Sequence, residues 1–251
     1  WPNANTHPQF MYESLVRFNL LDGSLVPGLA KELQKTDDHT FTLPLQDGTK
    51  WSDGSDLTAE DVVFTFELGK TASVNYSTVW QYIDSVKASD PRTVVFTVKS
   101  KPYNPIMVKN YIASTRIVPK AVFGSIPPDK IPSDTNLKPI GSGPFLLDKY
   151  DQTQVNLKRN DNYWGDKSPW DKVTFKIIKN EAARVAALLS GDVDAIEQPP
   201  TADLARIKGD PKFTVSSKIS HRVIYFNFDH LDRSSPFITD KAGKPLAKNP
   251  L

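Results

Sequence analysis

The chain has 251 residues, 39% hydrophobic and 24% charged, with a net charge of +2 and no cysteine. That length suits one large domain or two ordinary ones, and the composition belongs to a folded protein rather than a disordered one. Near-neutral charge gives no sign of a polyanionic partner such as nucleic acid, and the absence of thiols excludes structural disulfides and cysteine zinc sites. No stretch of the sequence is apolar for long enough to span a bilayer. No basic-then-apolar leader opens it either, so Trp1 is expected to be the start of a mature or trimmed chain.

Residues 1–7 are polar and irregular, and Pro8 ends them. Over 10–20 the spacing predicts a helix that buries Met11, Leu15 and Phe18. Phe41, Leu43 and Leu45 then alternate as in a half-buried strand, and Pro44, which lacks an amide donor, points to a sheet edge. Two Asp-Gly turns, at 47–48 and 53–54, flank Trp51. Thr58 is a candidate N-cap, with Asp61 placed to reach back to its amide as in a capping box. Ala59, Val62, Val63 and Phe66 follow on one apolar helix face.

Between 69 and 86, Tyr76, Trp80 and Tyr82 stand among polar residues. Such rings either stack on a ligand or, as the spacing of Trp80 and Ile83 also allows, pack a short helix. Thr93 to Val98 reads as a strand with Val94, Phe96 and Val98 inward. The segment 107–123 holds Tyr111 and Arg116, whose forked donors suit a carboxylate, although a surface salt bridge would use the same group. A proline-rich connection covers 125–139. In Gly141-Ser142-Gly143-Pro144-Phe145 the two glycines permit positive φ. This run lacks the further glycine of a dinucleotide site and the Lys-Ser/Thr of a phosphate loop.

Val155 and Leu157, and then Val173, Phe175 and Ile177, read as strands. A helix is predicted over 181–190, with Ala182, Val185, Ala186 and Leu189 inward and Gly191 as C-cap. A short strand at 195–196 would complete a βαβ-like unit, and a short helix over 201–208 would turn Leu204 and Ile207 inward. Residues 223–228 carry apolar side chains on both faces, as in a central strand covered on both sides. The remainder, 231–251, is polar, basic and proline-containing.

The unit Phe41-Thr42-Leu43, Asp47-Gly48, Trp51-Ser52-Asp53-Gly54 and Thr58-Ala59-Glu60-Asp61-Val62 resembles the family 5 extracellular solute-binding proteins of ABC importers. So do Tyr12-Glu13-Ser14-Leu15-Val16, Asp22-Gly23 with Pro27-Gly28-Leu29-Ala30, Ile117-Val118-Pro119-Lys120 and Gly141-Ser142-Gly143-Pro144-Phe145. Arg159-Asn160 with Tyr163-Trp164-Gly165, and Ser190-Gly191-Asp192-Val193-Asp194, extend the likeness over nearly all of the chain. Pro44-Leu45 departs from it, since the family usually has Leu-Arg there, and Ser142 replaces a threonine.

The resemblance implies an α/β, type II periplasmic-binding-protein-like first lobe with a mixed sheet and an inserted α+β subdomain, the second lobe being absent. It divides the chain into a main lobe at 1–45 and 138–228, an insertion at 46–137 and a connection toward the second lobe at 229–251. It implies capture of an extracytoplasmic solute, a peptide first, with nickel complexes or oligosaccharides as alternatives. The protein would be a monomer, periplasmic or extracellular, free or lipid-anchored, that meets the transmembrane subunits of an ABC permease and needs no cofactor. By position, Asn5, Thr6, His7 and Asn227 become cleft candidates beside Trp80, Tyr111 and Arg116. Because the family closes two lobes over its ligand, one lobe alone is expected to bind weakly.

Two other classes compete. Asp53, Asp56, Glu60 and Asp61 lie close enough in sequence to suggest a carboxylate-dependent glycoside hydrolase. Turn formation and the helix N-terminus account for the same residues, and no Gly-x-Ser-x-Gly nucleophile motif is present. His7, His39, His221 and His230 have no zinc-type spacing. A basic tail and exposed aromatics would also fit a docking or adhesion module.

Overall fold

A computed structural model describes residues 8–19, 21–71, 74, 76–127, 130, 139–217, 224–226, 234–235 and 237–248. The chain forms two compact units, Trp1–Asp203 and Leu204–Leu251.

The first unit does not open on the expected long helix. α1 (Pro8–Met11) lasts one turn, and β1 (Val16–Phe18) then pairs antiparallel with β2 (Leu25–Pro27). The hairpin prevails over the helical spacing because its turn is well made. The Asn19 amide donates to the Ser24 carbonyl at 2.8 Å, and Asp22 Oδ1 accepts the Ser24 amide at 2.9 Å. Met11 and Leu15 are buried as expected, but Phe18 is 39% exposed.

β3 (Gln34–Asp37), β4 (Thr40–Pro44), β5 (Ile83–Asp90) and β6 (Thr93–Val98) form one antiparallel sheet in the order β3-β4-β6-β5. β4 is therefore an inner strand, not the edge that Pro44 suggested. Pro44 is its last residue, and its carbonyl still accepts the Lys31 amide at 2.8 Å. β4 pairs along its whole length with β6. Phe41, Leu43, Val94 and Phe96 are buried on the sheet, as are Ala59, Val62 and Phe66 of the covering α2 (Ala59–Thr71). Phe66 meets Phe96 edge-on at 4.9 Å between ring centres. Each fully buried phenylalanine of this kind contributes about 1.5–3 kcal/mol.

Asp61 does more than reach back to its cap. Its Oδ2 accepts the Thr58 amide at 2.9 Å and, at 3.4 Å each, the Thr58 hydroxyl and Trp51 Nε1. Its Oδ1 accepts the Lys120 amide at 2.9 Å. One buried carboxylate thus ties the Trp51 turn, the start of α2 and the start of α4 (Lys120–Phe123) together. α3 (Pro105–Ser114) begins at Asn104, whose Oδ1 caps the Met107 amide at 3.1 Å.

A second antiparallel sheet holds β7 (Phe145–Tyr150), β8 (Gln154–Arg159) and β9 (Lys172–Lys176), in that order. Its inner residues Phe145, Val155 and Leu157 pack with Met11 in a smaller core, joined by Phe10, Val173 and Phe175. α5 (Glu181–Ser190) is capped by Asn180 and ends at Gly191, whose φ of 82° is the left-handed conformation glycine tolerates best. Its buried residues are Val185 and Leu188; Ala182 and Ala186 are exposed, so the inward face is turned from the expected one. Residues 195–196 form no strand, and every strand pair among the described residues is antiparallel.

In the second unit, α6 (Leu204–Gly209) matches the expected short helix, and an isolated bridge joins Thr239 to Pro245. Ile224, Tyr225 and Phe226 are exposed and form no strand. The doubly covered strand expected at 223–228 is not seen in these three residues, which have no neighbouring strand among the described residues. No helix among the described residues is long and apolar enough to cross a membrane.

Candidate functional site

Three motifs that are far apart in the sequence meet at Glu13. The loop 141–143 runs against the backbone of residues 10–13. Gly143 donates to the Met11 carbonyl at 2.9 Å, and Ser142 Oγ accepts the Glu13 amide at 3.1 Å. Asn160 is buried; its side chain donates to the Gly143 carbonyl at 3.0 Å and accepts the Asn162 amide at 3.1 Å. This holds the turn that carries Tyr163 and Trp164. The Tyr163 hydroxyl and Trp164 Nε1 donate to the two oxygens of the Glu13 carboxylate at 2.9 Å and 3.0 Å.

Burial pushes the Glu13 carboxyl up, against the pull of these two hydrogen bonds and of the charges on Arg17 and Arg116. The Tyr163 hydroxyl is pushed up as well, by burial first and then by the Glu13 charge. Beside them opens a hollow of about 330 Å³ lined by Glu13, Arg17, Pro27, Gly28, Gln46, Tyr163, Trp164, Gly165 and Asp166. With both carboxylate oxygens already paired, its floor positions the fold rather than offering a free acid or base.

Arg116 lies just beyond α3. It is half-buried, it donates to the Ser114 carbonyl at 3.4 Å, and it makes no ion pair with a carboxylate among the described residues. Burial lowers its pKa while Glu13 raises it, and the guanidinium stays charged at any ordinary pH.

Trp80 belongs to the 3-10 turn Ser77–Gln81, and Tyr111 reaches that turn from α3. Tyr111 shares a hydrogen bond with the Thr78 hydroxyl. Trp80 Nε1 donates to the Phe66 carbonyl at 2.9 Å, and Lys70 Nζ sits 3.8 Å from the centre of a Trp80 ring. Both rings are half-buried and anchored within the fold. Asn5, Thr6, His7 and Asn227 lie outside the described residues.

The four carboxylates of the hydrolase reading each have a structural partner. Asp53 accepts from the Ser55 amide and hydroxyl, at 3.0 and 2.6 Å, which holds its pKa low. Asp56 pairs with Lys50 at 2.7 Å, Glu60 with Lys120 at 3.1 Å, and Asp61 is the buried hub already described. A glycosidase acid needs a raised pKa; Asp53 and Asp56 are shifted down. No group of acidic or histidine side chains suited to a metal occurs among the described residues.

Comparison with known proteins places this architecture. The profile of the bacterial extracellular solute-binding proteins, family 5, matches residues 24–250. The chain belongs to that family. The dipeptide-binding protein of Escherichia coli is 30% identical to this family 5 chain over 240 residues, covering 87% of it and 45% of the relative. The oligopeptide-binding protein AppA from Bacillus subtilis, solved with a nonapeptide, superposes with a TM-score of 0.73 at 27% identity over 79% of this chain and 40% of its own. NikZ from Campylobacter jejuni, solved with Ni(L-His), gives 0.69 at 26% identity over 81% and 40%. The family 5 chain thus spans less than half the length of these proteins, two of which are named as peptide-binding proteins.

Of the residues that build the Glu13 junction, sequence reasoning quoted the motifs but missed their meeting. The available signal was an acid set among apolar residues in Tyr12-Glu13-Ser14-Leu15-Val16, which calls for a buried partner.

Proposed function

We propose that this chain is the ligand-facing first lobe of a binding protein that captures a peptide outside the cytoplasm and passes it to an ABC permease without covalent chemistry. The observation that carries this reading is Arg116, a half-buried guanidinium with no carboxylate partner among the described residues. The Glu13 charge acts on it from beyond ion-pair distance, and a peptide C-terminus offers a carboxylate in direct contact, through charge-assisted hydrogen bonds. The nonapeptide held by AppA supports the ligand class. The Ni(L-His) complex held by NikZ supports the second reading, a metal chelate whose amino-acid carboxylate would meet the same cation. In this reading 1–45 and 138–228 form the main lobe, 46–137 is the insertion, and 229–251 leads toward a second lobe.

In a polypeptide extended to the length of the relatives, Arg116→Ala is expected to weaken a peptide with a free C-terminus about tenfold or more, in line with roughly 1.5–3 kcal/mol for a hydrogen bond to a charged group. The C-terminally amidated peptide should bind the variant and the parent alike. Titration calorimetry reads both. Equal loss for both peptides, or no loss for either, removes Arg116 from the carboxylate role.

A further inference from the structure

The near-neutral net charge hides a segregated face. In β8, Val155 and Leu157 are buried, so Gln154, Asn156 and Lys158 point to the opposite side of the sheet. The strand register sets Lys149 against Asn156, Lys172 against Lys158 and Lys176 against Gln154. Four lysines therefore share this face, and all four are exposed.

Lys158 and Lys172 are direct cross-strand neighbours, an arrangement that like-charge repulsion disfavours. Neither has a carboxylate in ion-pair reach among the described residues. Lys176 donates to the Asp192 carbonyl at 2.7 Å, and Lys149 lies in the field of Asp151. Two residues ahead of Lys172, where the ladder is continued by the Arg159 amide donating to the Asp171 carbonyl at 2.8 Å, Trp170 is 70% exposed.

We propose that this lysine face, with Trp170 at its rim, docks on an anionic phospholipid surface. The charges are ammonium groups spread over a sheet, without the fork that grips a single carboxylate or phosphate. Such an array suits a layer of headgroups better than one small anion. Lysines near an anionic membrane are attracted to it, and an exposed indole settles at the headgroup level. Charge complementarity thus singles out a lipid surface, and a free acidic polypeptide is the alternative that the test must exclude.

The test is co-sedimentation of the full chain with vesicles of phosphatidylglycerol and phosphatidylcholine in equal parts, and with vesicles of phosphatidylcholine alone. Binding is expected only to the mixed vesicles, and strong salt should weaken it. The double variant Lys158→Gln/Lys172→Gln should lose about twenty-five-fold in partitioning, roughly fivefold per lysine. Trp170→Ala should also weaken binding to mixed vesicles. These side chains are exposed, so circular dichroism should show each variant folded. Equal binding to pure phosphatidylcholine, unchanged binding by the double variant, no binding at low salt, or capture of polyglutamate with no vesicle binding would each overturn the proposal.

Discussion

Gly141→Ala is expected to destabilise the first unit by about 3 kcal/mol, or to prevent its folding. An added Cβ would lie 2.0 Å from the Met11 carbonyl oxygen. That neighbour is backbone, so no rotamer change relieves the overlap. The loop cannot retreat either, because Gly141 donates to Ser52 Oγ at 3.2 Å and its carbonyl accepts the Ser52 amide at 2.9 Å. Gly143 is similar, with its added Cβ 2.4 Å from the Phe10 carbonyl oxygen. As the control, Gly209→Ala meets no atom within 4 Å and should stay within about 0.5 kcal/mol of the parent. Urea midpoints read all three, and an unshifted midpoint for Gly141→Ala would refute the close-approach account.

Glu13→Ala should cost about 2–3 kcal/mol, because it leaves the Tyr163 hydroxyl and the Trp164 N–H without their acceptor beside a buried site. Glu13→Gln keeps one acceptor oxygen and should lose less. The pH dependence separates charge from shape. The folded-state pKa of Glu13 lies above its ordinary 4.5, so the folded state holds the proton more tightly than the unfolded chain does. Its stabilising contribution is therefore complete below about 4.5 and is lost as pH rises through the raised folded value. The advantage of the parent over Glu13→Gln should shrink from pH 4 toward pH 7, by urea midpoints at each pH. An advantage that grows over that range would mean the ionised carboxylate is the favoured form.

Local rules carried much of the fold. The Thr58–Asp61 reach-back, the inward faces of β4 and β6, and the Gly191 cap follow from spacing and turn chemistry within a few residues. The failures are long-range. Met11, Leu15 and Phe18 fit a helix period, but a hairpin closed by 19–24 took the segment instead. Gly141 and Gly143 permit positive φ, yet neither adopts it; each makes room for another backbone. That Glu13 would meet Tyr163 and Trp164, some 150 residues on, could not be read from periodicity. Of the cleft candidates, Trp80 and Tyr111 share the turn Ser77–Gln81, and Arg116 lies in the field of Glu13.

The central claim is that this lobe grips a ligand only with the remainder of a family-length protein closed over it. Titration calorimetry of a peptide into this chain alone, beside a polypeptide extended to the relatives' length, tests it directly. The account predicts a dissociation constant weaker than about 1 mM for the chain alone and of about 1 μM or tighter for the extended protein. Micromolar binding by the chain alone would contradict it.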